Sequence, residues 1–283
     1  MRVLPAIAAL CAILSAFADS VPVRPNSLCE ISFAAAVEKG PTVESAPELA
    51  ELIPVSASVP TKTGLGFCAL EWRFLDAEGK AIRHPRITWD TIPLFSSQEK
   101  TFRFRVYSPE NAAKIELVPR LVGQDDRVRI SGLAAKVVEP DGILNVNPHF
   151  ADGDDYLPGW QLTGPARLMK DDTGRNYVLL EDGGVFGDLF PVRGLKKLAI
   201  TLKGGPPHYA TRRHIPWGAV YFFDGYEEAC NAKPFAPFVR PKLELHSTTL
   251  TENTVEYDVP KSAAWCRIAI RVGDITACEV RSR

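Results

Sequence analysis

Aromatic rings, guanidinium groups and imidazoles are most densely mixed between His208 and Trp217 in this 283-residue sequence. Sugar recognition asks for such a mixture: a flat ring covers the C–H face of a pyranose while Arg, Asp, Asn or His bonds its hydroxyls. Tyr209, Arg212, Arg213, His214 and Trp217 are therefore the candidate binding surface. The competing reading is a solvated loop whose Trp217 plugs the end of a core. Arg83, His84, Arg86 and Trp89 mix the same residue types and form a second, subordinate site. Asp152, Asp154 and Asp155 offer oxygen ligands for a structural calcium ion, and an acidic turn in water accounts for them equally. Catalysis has fewer footholds. No nucleophile elbow, His-Glu-x-x-His zinc motif or phosphate loop occurs, and of five histidines only His208 and His214 fall in the suggestive stretch.

The composition must position these groups. With 33 Lys plus Arg against 34 Asp plus Glu, the formal charge of −1 shows no basic surplus of the kind that nucleic acid needs. Hydrophobic residues make up 46%, enough for ordinary cores, while 20 Gly and 23 Pro punctuate many short elements. Met1 and Arg2 lead into an apolar run to Phe17, and Ala16-Phe17-Ala18 has the small-x-small form of a cleavage site before Asp19. Residues 1–18 read as a signal peptide that takes Cys11 with it, and the run is shorter than the roughly 20 residues that span a bilayer. No later segment is apolar enough to cross a membrane. A secreted, periplasmic or cell-surface location follows, where disulfides persist. Cys29, Cys68, Cys230, Cys266 and Cys278 remain, an odd set. Alternation places Cys29, Cys68 and Cys266 on inward strand faces as small core residues; bridges from Cys29 to Cys68 and from Cys266 to Cys278 are the other reading.

Strand signals recur along the chain. Ser27 to Val37, Phe67 to Leu75, Lys100 to Tyr107, Ala113 to Val122 and Arg127 to Val138 alternate apolar with polar residues, and Asp76 to Gly79 forms a turn. Thr101 to Ala113 followed by Lys114 to Gly123 resembles Thr254 to Ala264 followed by Trp265 to Gly273. Glu71 to Asp76 resembles Val220 to Asp224, and Leu133 to Val138 is set against Ile275 to Val280. One unit is thus present twice. The fold class is all-β: two tandem antiparallel β-sandwich domains of jelly-roll form, residues 22–140 and 143–283, joined at Glu139 to Gly142. Trp72 falls in phase with Leu70 and Phe74 and belongs to a core; Trp160 closes a sandwich edge; Trp265 is out of phase with Ile268 and Ile270 and is expected at the surface.

These features resemble the galactose-binding-like jelly rolls of secreted bacterial carbohydrate-binding modules. The resemblance is carried by the strand ending in a large apolar residue and Asp, by the Val259-Pro260 and Ser108-Pro109 turns, and by Asn147-Pro148-His149-Phe150 followed by Trp160. It implies a non-catalytic protein that binds polysaccharide or glycan, working beside separate glycoside hydrolases or surface proteins. It also implies a calcium site next to Phe150, where Ala151 replaces the usual acid and Asp152 comes one residue later. The alternative is a structural or protein-binding envelope or matrix component without a sugar ligand. A polysaccharide hydrolase or lyase, which needs two suitably placed carboxylates or a base with a charge neutraliser, stands third.

Overall fold

The computed structural model describes residues 19–42, 66–82, 91–95, 99–120, 125–152, 156–205, 217–231 and 251–283. In the first unit the strands are β1 (Asp19–Pro22), β2 (Leu28–Lys39), β3 (Phe67–Leu75), β4 (Thr91–Phe95), β5 (Lys100–Tyr107), β6 (Lys114–Arg120) and β7 (Arg127–Val137). They form two antiparallel sheets, ordered β1-β6-β3-β4 and β5-β2-β7. The alternation of β2 explains its place: Cys29, Ile31, Phe33, Ala35 and Val37 are buried, while the residues between them are only partly so. Those side chains meet Leu70, Trp72 and Phe74 of β3 in one core, where Phe33 stacks on Phe102 at 5.1 Å and Trp72 lies 5.6 Å from Phe104. Each large ring buried in this way contributes roughly 1.5–3 kcal/mol.

The second unit contains β8 (Trp160–Thr163), β9 (Ala166–Lys170), β10 (Asn176–Gly187), β11 (Phe190–Pro191), β12 (Lys197–Gly205), β13 (Trp217–Phe223), the short α1 (Tyr226–Asn231), β14 (Thr251–Asp258) and β15 (Trp265–Ser282). All pairings are antiparallel. β15 is long enough to serve both layers. Its first half pairs with β13, and its second half pairs with β12. β10 follows the bend through a bulge between Leu180 and Gly184. Cys266, Ile268, Ile270, Ile275, Cys278 and Val280 all enter one core.

Backbone hydrogen bonds show that the units are copies. Ala113 N donates to Leu75 O and Ala264 N to Phe223 O, both at 2.8 Å; Ser108 N donates to Ser27 O and Val259 N to Lys196 O; Val138 N donates to Leu28 O and Arg283 N to Lys197 O. β2, β3, β5, β6 and β7 therefore correspond to β12, β13, β14 and the two halves of β15.

Three readings need correction. Val137 lies opposite Cys29, and Ser282 lies opposite Leu198, so Leu133 corresponds to Cys278 and not to Ile275. A three-residue slip exchanges faces because side chains alternate with period two. Trp265 is only 3% exposed, since the Tyr226 ring of α1 packs against it at 5.2 Å. The five cysteines among the described residues are buried and unbridged. Cys29 begins β2 whereas Cys68 begins β3, beside Arg120 O, so they stand at opposite ends of their sandwich. Cys266 and Cys278 enter the second core from the two halves of β15 without bonding.

The units also share packing. Leu28 and Tyr107 of the first unit belong to the second core, and Tyr156, just ahead of β8, belongs to the first, edge-on to Phe104 at 6.3 Å. Among the described residues no helix is long and apolar enough to cross a membrane.

Candidate binding cleft

The segment before β8 is organised by one amide. Asn147 adopts a left-handed φ of 47°, which Asn tolerates better than most residues. Its Nδ2 donates to Asp152 O and to Pro158 O, its Oδ1 accepts from Asp152 N, and its carbonyl accepts from the Trp160 indole at 2.9 Å. Trp160, 1% exposed, meets Phe150 edge-on at 5.3 Å, so it closes the sandwich edge as expected. This clasp holds His149 and Ala151 against the β9–β10 hairpin, where Asn176 Nδ2 donates to Phe150 O at 2.7 Å.

The hairpin turn is self-bonded. Asp171 Oδ1 accepts from the Thr173 hydroxyl at 2.6 Å and from the amides of Thr173 and Arg175, while Oδ2 accepts from Arg175 Nε. The Thr173 hydroxyl first, and then these amides and the guanidinium, hold the Asp171 carboxyl down at about 2. Across from it Thr276 Oγ1 donates to Lys203 O, and Lys203 Nζ lies 3.0 Å from Glu252. His149 Nε2 stands 3.5 Å from Glu279 Oε1.

These groups line a cleft of about 620 Å³, with His149, Asp171, Arg175, Asn176, Lys203 and Thr276 supplying its polar wall. Each is oriented by a partner in the protein and keeps further bonding capacity: the terminal nitrogens of Arg175, the remaining ammonium protons of Lys203, the second imidazole nitrogen of His149, and the lone pairs of Thr276. Such a wall can donate to and accept from hydroxyls at fixed positions. A different environment surrounds Arg267. It is 5% exposed, donates to Ala229 O at 3.3 Å and lies 5.5 Å over the Phe223 ring, while its Nε has no hydrogen-bond partner among the described residues.

Tyr209, Arg212, Arg213 and His214 lie outside the described residues, as do Arg83, His84, Arg86 and Trp89, and Asp154 and Asp155. Trp217 opens β13 opposite Arg271. The strands carrying the two ends of its loop, β12 and β13, meet β15 at Asp274 and Arg271, the end of the unit that also bears Lys203 and Thr276. Asp152 is exposed and takes part in the clasp through its backbone; among the described residues no three His, Cys, Asp or Glu side chains converge as metal ligands. Asp171, Arg175, Asn176, Lys203 and Thr276 were not singled out in the sequence. The Asp171 to Arg175 stretch carries a turn signature, but its meeting with Lys203 and Thr276 is a tertiary event.

No family model matches the chain, and no curated protein matches it. Among solved structures it is similar to the N-terminal CBM22-1–CBM22-2 tandem domain of Xyn10C from Paenibacillus barcinonensis, at 10% identity over 93% of this chain and 82% of that one, TM-score 0.33. It is similar to the tandem CBM51 modules of Sp3GH98, the family 98 glycoside hydrolase from Streptococcus pneumoniae SP3-BS71, at 12% identity over 93% and 80%, TM-score 0.23. The ANXUR2 extracellular domain from Arabidopsis thaliana is similar at 6% identity over 94% and 80%, TM-score 0.22.

Proposed function

We propose that this protein is exported and binds carbohydrate without cleaving it, through the second unit. The observation that carries the reading is the cleft of about 620 Å³, walled by oriented donors and acceptors of both kinds and sized for a short oligosaccharide. In this reading Tyr209, Arg212, Arg213, His214 and Trp217 supply the stacking and bonding groups at the same end of β12 and β13, and residues 22–140 and 143–283 act as the two modules. Glycan-array binding by the full chain should be lost or fall at least tenfold in Arg175→Ala and in Trp217→Ala. An undiminished signal in both variants overturns the proposal, and reducing ends released from polysaccharide, abolished by a single Asp or His substitution, would replace it with an enzyme.

A second reading, a protein-binding or structural pair of sandwiches, is favoured by one observation. Trp72, Trp160 and Trp265 are all buried and offer no ring to a pyranose. Binding to no glycan on the array, with a folded chain, would decide for it.

A further inference from the structure

The outer face of β5-β2-β7 gathers cations that are scattered in the sequence. Because Ile31, Phe33 and Ala35 point inward, Glu30, Ser32, Ala34 and Ala36 of the central strand point outward and form a low floor. Arg105 and Lys136 flank Glu30 in register, Arg103 and Ala134 flank Ser32, and Arg129 lies opposite Ala36. Arg127 extends the line, so that Lys136 and Arg127 are roughly 30 Å apart at about 3.3 Å per residue. Five cations thus border Glu30 and Glu38, with Glu99 beside Arg129 and Asp125 beside Lys39 and Arg127 at the far end, in a chain whose formal charge is −1. Arg103 and Arg105 share Glu30 at 3.9 and 3.7 Å, Arg129 lies 3.3 Å from Glu38 and 3.4 Å from Glu99, and Arg127 and Lys136 are exposed and make no salt bridge among the described residues, though Arg127 acts on Asp125 through space.

We infer that this face is a docking surface for an extended polysaccharide carrying uronate carboxylates. The charge complementarity is already displayed by the protein's own glutamates, which sit beside the same guanidinium groups that a ligand carboxylate would engage as forks. Ser32 and Ser131 add hydroxyls, and the ring that falls in phase with Arg103 and Arg105, Tyr107, is buried in the second core and is not open to stack a nucleic-acid base. The face does not end at the unit boundary. Arg105 also lines a small cleft of about 110 Å³ with His149 and Ala151, and these two residues line the larger cleft of the second unit. A chain lying along the first unit is thereby led toward the cleft. The proposal adds a second surface to the glycan reading and stands on separate residues.

The test uses the full chain and polygalacturonate at low salt, by titration calorimetry. The triple variant Arg103→Ala/Arg127→Ala/Lys136→Ala is expected to bind at least tenfold more weakly with an unchanged melting temperature. The triple change Lys114→Ala/Arg193→Ala/Lys261→Ala, on exposed cations elsewhere, should bind within twofold of the parent. Parent-like affinity in the first variant overturns the proposal, as does dextran sulfate or duplex DNA bound as tightly as polygalacturonate through the same three residues. Neutral glycan binding, read with Arg175→Ala, reports on the cleft alone, so either reading can fail while the other stands.

Discussion

At the scale of single residues, burial decides what the cysteines are. All five thiols lie inside the cores, and desolvation pushes Cys68 and Cys278 up to about 12 and Cys266 well above its ordinary value. A thiol that cannot ionise is neither nucleophile nor metal ligand. In the native chain none of the five should react with Ellman's reagent at pH 8, and all five should react in denaturant. The same shifts set a pH dependence. The neutral thiol is the form the fold favours, so the stabilisation is complete below the unfolded value near 9.0 and is lost as pH rises toward about 12. Tyr107 and Tyr257, both raised by burial to about 12, act in the same direction. The urea midpoint should fall steadily between pH 9 and pH 12; a flat profile would show that these groups ionise as freely in the fold as in the unfolded chain.

Among the elements, the clasp before β8 is where local conformation and packing meet. Gly159 has a φ of +78°, and a Cβ there would lie 2.2 Å from Val146 Cγ2. Gly79, in the turn after β3, has nearly the same φ, +80°, and open space around it. Gly79→Ala should therefore cost about 1 kcal/mol, the strain of the backbone alone, and Gly159→Ala about 3 kcal/mol, since overpacking adds to it. Equal losses in urea unfolding would show that Val146 moves aside freely. The elements also explain which strands could be read beforehand. β2, β5 and β7 alternate, β3 opens on a continuous apolar run from Phe67 to Leu70, and all four fall within a residue or two of the expected bounds. β4 and β1 carry Pro93 and Pro22 within four or five residues and make no such pattern. α1 is a single short turn, and what recommends it is the contact of Tyr226 with Trp265.

For the molecule as a whole, the sandwiches exchange core residues. Tyr156 stands after the expected linker yet packs in the core of the first unit, and Tyr107 stands in the first unit yet packs in the core of the second. Tyr156→Ala removes a ring 6% exposed and should destabilise by about 3 kcal/mol. Its signature should be faster amide exchange in β5, on the far side of the linker. Loss of protection confined to β8 and β10 would show that the contact does not couple the units. A coupled pair keeps the cationic face and the cleft in fixed relation, which a ligand spanning both requires.

The alternation of apolar residues and the recurrence of one pattern were enough, by themselves, to determine an all-β chain built from two related sandwiches, because strand periodicity is a local property written into neighbouring residues. Which side chains share a cleft was decided only by the tertiary structure. His149, Arg175, Lys203 and Thr276 come from four separate segments, and Arg103, Arg127 and Lys136 from two strands that meet across a third. Pairing register across long sequence distances depends on the packing of whole sheets, and no short stretch of residues carries it.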